Sequence, residues 1–167
     1  MRFAWIELMP AQKYCRMILS RFRKTLILLS IQEKCLECTE LMRLLKFPYR
    51  LLFKGSKTGA YLTVERHRGS TVPLGVWEVD ETDEKNLDRY EGYPAFYYKK
   101  SVKLNVRSLY GDREQILDAF LYIMHEERHL GLPSAQYVSV CRQGYTDFGF
   151  NEKFLRRALA DSMGDKK

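Results

Sequence analysis

The stretch LDRYEGYPAFYY, Leu87 to Tyr98, holds a change from one kind of secondary structure to another. Upstream of it the polar run DETDEKN, Asp80 to Asn86, offers Asp80 or Thr82 as a helix N-cap, with Asp83 and Glu84 complementing the positive end of the dipole. Gly92 is placed to end that helix, because glycine takes the left-handed conformation without a steric penalty. Downstream, the aromatic cluster leads into YYKKSVKLNV, Tyr97 to Val106, which reads as a strand. Between helix and strand stands one carboxylate, Glu91.

A glutamate at a helix C-terminus meets the negative end of the macrodipole, which disfavours the ionised form and raises the pKa. An apolar surround from Tyr90, Tyr93, Phe96 and Tyr97 would raise it further. That suits a proton shuttle for an amine, which must take up a proton and then return it. On residue type alone the plainer reading is a solvated surface glutamate. The sequence on either side has to decide between them.

From Tyr49 onward, short runs rich in Tyr, Val, Leu and Phe are divided by turn residues, the pattern of a meandering β structure. The expected strands are YRLLFKG (Tyr49 to Gly55), AYLTVE (Ala60 to Glu65), VPLGVWEV (Val72 to Val79), Tyr97 to Val106, and ILDAFLYIM (Ile116 to Met124). Lys57 to Gly59 reads as a hairpin turn. A second helix is expected after Pro133, capped by Ser134, with Tyr137, Val140 and Cys141 on one face and Gly144 at its end. A third runs from Asn151 to about Ser162, with Phe154, Leu155, Ala158 and Leu159 apolar. Residues 1–46 lack alternation, and Met17 to Leu29 reads equally as a helix or a buried strand.

At 167 residues with 46% hydrophobic and 29% charged, the chain has a globular profile and room for one ordinary domain. Its net charge of +7 is concentrated at the start, where residues 1–58 hold 12 Lys and Arg against 4 Asp and Glu. Arg21, Arg23 and Lys24 would serve a nucleic-acid binder, but no nucleic-acid motif accompanies them, and such a partner is not expected. Cys35 and Cys38 have the gap of a zinc knuckle without a second pair or a nearby histidine, so they read, with Cys15 and Cys141, as reduced thiols. His67, His125 and His129 suggest no third ligand; neither a metal nor a cofactor is expected. The run TLILLSI, Thr25 to Ile31, is far shorter than the roughly 20 residues of a membrane-spanning helix. A cytoplasmic protein without membrane contact is expected.

The segment LDRYEGYPAFYYKKSVKL resembles gamma-glutamylcyclotransferase-like proteins of the gamma-glutamylamine cyclotransferase type, in which the acid of an LDxxEG segment is followed by tyrosine and a strand. The similarity continues through YRLLFKG, VPLGVWEV, DAFLYIM (Asp118 to Met124) and LPSAQYVSVCRQGYTDFGF (Leu132 to Phe150), and covers roughly Tyr49 to Leu159. It implies an α+β fold, a small mixed β-barrel with flanking helices. The activity implied is attack of a gamma-glutamyl amine on its own side-chain amide, giving 5-oxoproline and a released amine. Glu91 would be the general acid and base, with Tyr98, Tyr137 and Gly92 binding substrate. The partner would be a small gamma-glutamyl compound; no oligomeric state is implied.

The resemblance places a gamma-glutamylcyclotransferase-like domain at residues 47–162, preceded by a divergent segment, 1–46, belonging to the same domain. Active members of the family open with a strand running into Tyr-Gly-Ser-Asn, whose backbone N–H groups hold the substrate carboxylate and the developing oxyanion. Residues 1–46 contain no glycine and no such motif. The alternative expectation is therefore a non-catalytic binding protein of the same fold.

Overall fold

Period-two alternation sets the longest strands: in Tyr49–Ser56 the side chains of Tyr49, Leu51 and Phe53 turn to one buried cluster, met by Ala60, Leu62 and Val64 of Gly59–Arg66. The computed structural model describes residues 3–7, 26–28, 42–44, 48–56, 59–79, 81–108, 114–147 and 149–163. Eight strands follow in order: β1 (Phe3–Glu7), β2 (Leu26–Leu28), β3 (Met42–Leu44), β4 (Tyr49–Ser56), β5 (Gly59–Arg66), β6 (Gly75–Val79), β7 (Tyr97–Ser108) and β8 (Glu114–Met124). The helices are α1 (Glu81–Tyr90), α2 (Ala135–Asp147) and α3 (Lys153–Ser162).

The strands form a six-stranded sheet in the order β2-β6-β1-β8-β7-β3 and a β4–β5 ladder. Neighbours run antiparallel except β1 and β8, which are parallel. Strands from the first 46 residues thus pair within the main sheet. The α+β class is present, while no closed barrel of backbone pairs is traced among the described residues. Side-chain hydroxyls instead tie β5 to β8, to β7 and to α2. The Met124 N–H donates to Thr63 Oγ1 at 3.0 Å, and Leu62 is held on both its backbone groups by tyrosine hydroxyls.

Two glycines in the left-handed region end helices with the same pattern of bonds. After α1, the Tyr93 N–H donates to the Asp88 carbonyl and the Gly92 N–H to Arg89, with Gly92 at φ +64°. After α2, the Phe150 N–H donates to Tyr145 and the Gly149 N–H to Thr146, with Gly149 at φ +63°. Both are Schellman motifs. The second helix therefore does not stop at Gly144, which is buried within it; Gly149 stops it, and the Tyr145 and Phe150 rings meet edge-on at 5.5 Å to seal the turn.

Other expected boundaries move less. Ser134 caps α2 as expected, its Oγ accepting from the Tyr137 N–H at 3.2 Å. The third strand begins at Gly75 rather than Val72, since Pro73 has no N–H for a ladder; Val72 and Leu74 are nonetheless buried. Thr82 lies inside α1 and is not its cap. Asp80, Lys57, Thr58, Arg21, Arg23, Lys24, Cys15, Cys35 and Cys38 lie outside the described residues.

α3 packs on β4, where Ser162 Oγ accepts from the Phe53 N–H at 2.6 Å and donates to the Ala158 carbonyl. α1 lies over the opposite face of the β7–β8 hairpin, where Leu87, Val79, Tyr97, Phe120, Tyr122 and Met124 form a second core. Lys99 fixes it there by binding Glu84 at 2.5 Å and Asp88 at 2.8 Å, and Tyr122 donates its hydroxyl to the same Asp88. Among the described residues no helix is long and apolar enough to cross a membrane.

Candidate active site

The Schellman turn at Gly92 leaves Glu91 as the C-cap just past Tyr90, the last residue of α1, with the Glu91 N–H still bonded to the Leu87 carbonyl at 2.8 Å. The chain then folds back through Tyr93 and Pro94, joined by a cis peptide, and the Phe96 N–H returns to the Gly92 carbonyl at 2.8 Å. A side chain at Gly92 would bring its Cβ to 3.2 Å from that of Phe96, so the tight turn requires glycine on two counts.

Glu91 is partly buried, and burial alone pushes its carboxyl up to about 7. Its neighbours feel its charge. Burial raises the Tyr97 hydroxyl far above its ordinary value, and the Glu91 charge adds to that effect. The same order of causes, burial first and Glu91 among the lesser ones, holds for Tyr122 and Tyr137. All three hydroxyls are therefore neutral donors or acceptors around a carboxyl poised near neutrality.

β5 supplies the opposite wall. The Leu62 N–H donates to the Tyr137 hydroxyl at 3.1 Å, and the Leu62 carbonyl accepts from the Tyr97 hydroxyl at 3.3 Å. Next to Leu62, the Tyr61 ring lies 5.2 Å from that of Tyr137 and 6.1 Å from that of Phe96, edge-on to both. Cys141, one turn beyond Tyr137 on α2, is a buried thiol pushed up to about 12 by burial, partly offset by a hydrogen bond with the Tyr137 hydroxyl.

The residues expected from the sequence divide accordingly. Glu91, Gly92 and Tyr137 come together. The N–H and carbonyl of Gly92 are both engaged inside the turn. Tyr98 leaves the group: alternate residues of β7 face opposite sides, so Tyr97 turns toward Glu91 while Tyr98 donates to Glu126 and its ring meets that of His125 at 5.5 Å, tilted by 52°. Of the aromatic residues expected around Glu91, Phe96 and Tyr97 are covered, whereas Tyr90 and Tyr93 are about half exposed, at 52% and 44%. Tyr61 and Cys141 were not singled out for the site, and no local pattern marks them.

The histidines are engaged separately: His67 Nδ1 with Ser70 Oγ at 2.8 Å, His125 Nε2 with the Pro94 carbonyl at 2.8 Å. Among the described residues no three His, Cys, Asp or Glu side chains are grouped to hold a metal. A cleft of about 450 Å³ between α1 and the β7–β8 hairpin is lined by Glu84, Lys99, Lys103, Asp118 and Phe120; Glu91 does not border it.

A sequence model described as gamma-glutamyl cyclotransferase, AIG2-like, matches residues 31–139. The chain belongs to this family. No curated protein sequence matches it well enough to count as a relative. Among solved structures the family member resembles a gamma-glutamyl cyclotransferase at 18% identity, over 96% of this chain and 88% of that one, with TM-score 0.68. An uncharacterized protein from Homo sapiens is similar at 17% identity over 95% and 87%, with TM-score 0.66. YkqA from Bacillus subtilis is similar at 11% identity, over 98% of this chain and 55% of its own, with TM-score 0.68. At these identities the likeness establishes the gamma-glutamyl cyclotransferase fold.

Proposed function

We propose that the protein cyclises the gamma-glutamyl group of a small amine or amino-acid conjugate to 5-oxoproline, releasing the amine, with Glu91 as the proton carrier. The supporting observation is the partly buried position of Glu91 at the end of α1, which holds its carboxyl near pH 7, ready to be filled or emptied. Family membership and fold support the substrate class.

In the reaction the α-ammonium of the substrate gives a proton to the Glu91 carboxylate, and the freed amine attacks the γ-carbonyl carbon. The new C–N bond closes the five-membered ring. Glu91 passes that proton to the leaving nitrogen as the old C–N bond breaks, and the second proton shed by the ring nitrogen follows by the same route, so the lactam keeps one N–H, the amine leaves as an ammonium ion and the enzyme ends as it began. The substrate carries its own nucleophile, and the protein need only orient it and relay protons between the two nitrogens. Tyr97 and Tyr137, neutral and fixed on Leu62, line the site.

A second reading has its own observation: residues 1–46 hold no glycine and hence no Tyr-Gly-Ser-Asn turn to bind the developing oxyanion. On that reading the Glu91 site binds a gamma-glutamyl compound without turnover. Incubating the purified chain with gamma-glutamyl amines and measuring 5-oxoproline separates the two. Turnover that is abolished in a folded Glu91→Gln variant supports catalysis. Equal turnover in both removes Glu91 as the base, and a ligand-induced rise in Tm without product supports binding alone.

A further inference from the structure

The segment that follows β8 clasps the turn that carries Glu91. His125 Nε2 bonds the Pro94 carbonyl at 2.8 Å, and the Arg128 guanidinium lies over the Phe96 ring, 5.0 Å from its centroid. Lys54 anchors the clasp from β4: its ammonium, almost wholly buried, donates to the Glu126 carbonyl at 3.0 Å and pairs with Glu65. The segment is further tied to β4 by the Gly55 N–H on the His129 carbonyl and the Gly131 N–H on Phe53, both at 3.0 Å. The Arg128 backbone is closed by its own N–H on the His125 carbonyl at 3.1 Å. The arginine is therefore presented from a fixed support, not a loose loop.

Phe96, on which Arg128 lies, is also the ring that borders Tyr61 and Tyr97 of the site. Arg128 is partly buried, and no carboxylate pairs with it among the described residues. A stacked guanidinium keeps its edge N–H groups available while its face is covered, a geometry suited to two-pronged binding of a carboxylate. A gamma-glutamyl compound and 5-oxoproline both carry such a group on the α-carbon.

We infer that Arg128 binds the α-carboxylate of the ligand at the Glu91 site. This rests on the gamma-glutamyl reading of that site. It makes Arg128 a specificity residue, selecting ligands with a carboxylate on the carbon that bears the attacking nitrogen, and holding that nitrogen at the Glu91 side of the Phe96 ring.

The test uses the full chain and needs no turnover. Wild type, Arg128→Ala and Arg128→Lys are titrated calorimetrically with 5-oxoproline and with its uncharged carboxamide, and folding of each is checked by circular dichroism. Wild type is expected to prefer the acid at least tenfold, Arg128→Ala to bind both compounds alike, and Arg128→Lys to keep part of the preference. An undiminished preference in Arg128→Ala, or no preference in wild type, overturns the assignment. If Arg128→Ala does not fold, Arg128→Lys decides: a reduced preference supports the assignment, since a point charge lacks the fork, and an undiminished one overturns it. Formation of 5-oxoproline is measured separately: its absence with the acid preference intact would defeat the cyclisation reading and leave Arg128 in place.

Discussion

The Tyr137 hydroxyl accepts the Leu62 N–H at 3.1 Å, joining the first turn of α2 to the edge of β5 that faces away from β4. Replacing Tyr137 by Phe leaves that buried N–H without its acceptor, at a cost of about 1–3 kcal/mol. The expected result is a Tm several degrees lower in thermal denaturation, together with weaker ligand binding, because the Tyr61 ring loses the orientation of its partner. A Tm equal to wild type would show that the bond contributes nothing.

Glu91 makes stability depend on pH in a stated direction. Its folded pKa of about 7 lies above the ordinary 4.5, so between those values the folded state keeps a proton that the unfolded state has lost. Stability contributed by this group therefore falls as pH rises through that window. Glu91→Gln removes the effect and is expected to stabilise the protein above pH 7 by on the order of 3 kcal/mol, with no gain below pH 4.5. Denaturant melts at pH 4.5 and pH 8 check the difference; a gain of the same size at both would mean that the carboxyl is not raised.

The same titration sets the pH dependence of the proposed reaction. With Glu91 as base, kcat/KM is expected to rise with pH on a limb centred near 7, since only the ionised carboxylate accepts the proton. A pH–rate profile for 5-oxoproline formation measures it. A flat profile from pH 5.5 to 8 would remove Glu91 from the role.

Gly92→Ala tests the turn. A left-handed residue with a Cβ costs roughly 1–2 kcal/mol, and here the Cβ also approaches Phe96 at 3.2 Å. The variant is expected to lose that stability in urea and to lower kcat more than the Tm shift explains, since Glu91 is the adjoining residue. Unchanged kcat in a destabilised variant would separate the turn from the chemistry.

Lys99→Met tests the seat of α1. Burial pushes the Lys99 ammonium down, but the hydrogen bonds it donates to Asp88 and Glu84 outweigh that and its pKa is raised. Removing the cation leaves two partly buried carboxylates one turn apart on α1, at an expected cost of about 1–2 kcal/mol given their partial exposure. Adding Glu84→Gln is expected to recover part of the loss, which a double-mutant cycle in denaturant reads directly.

What was legible in the sequence follows from what is local. The strands beginning at Tyr49, Ala60 and Tyr97 stand where alternation puts them, because one face of each meets the core. Glu91 and Gly92 were legible together, since a helix terminus is a short-range event with its own residue preferences. The exchange of Tyr98 for Tyr97 has a different origin: the phase of β7 depends on how many residues the Tyr93–Phe96 turn consumes, which no periodicity announces. Gly144 and Gly149 compete as helix terminators, and the sequence does not reveal that the first is packed inside. Tyr61 and Cys141 reach the site only through packing of β5 against α2, a relation between residues 80 apart in the chain. The small barrel that the resemblance implied is not traced as a closed ring of backbone pairs among the described residues; between β5 and β8 the Thr63 hydroxyl accepts from the Met124 N–H.

β5 is tied to its neighbours by single hydroxyl groups: to β8 through Thr63, to β7 through Tyr97 and to α2 through Tyr137. Each tie has the fixed reach of one side chain, so Thr63→Val or Tyr97→Phe can loosen one stitch while the ladders keep their registers. The seam around β5 is thus adjustable one residue at a time, in a way that a continuous backbone ladder would forbid.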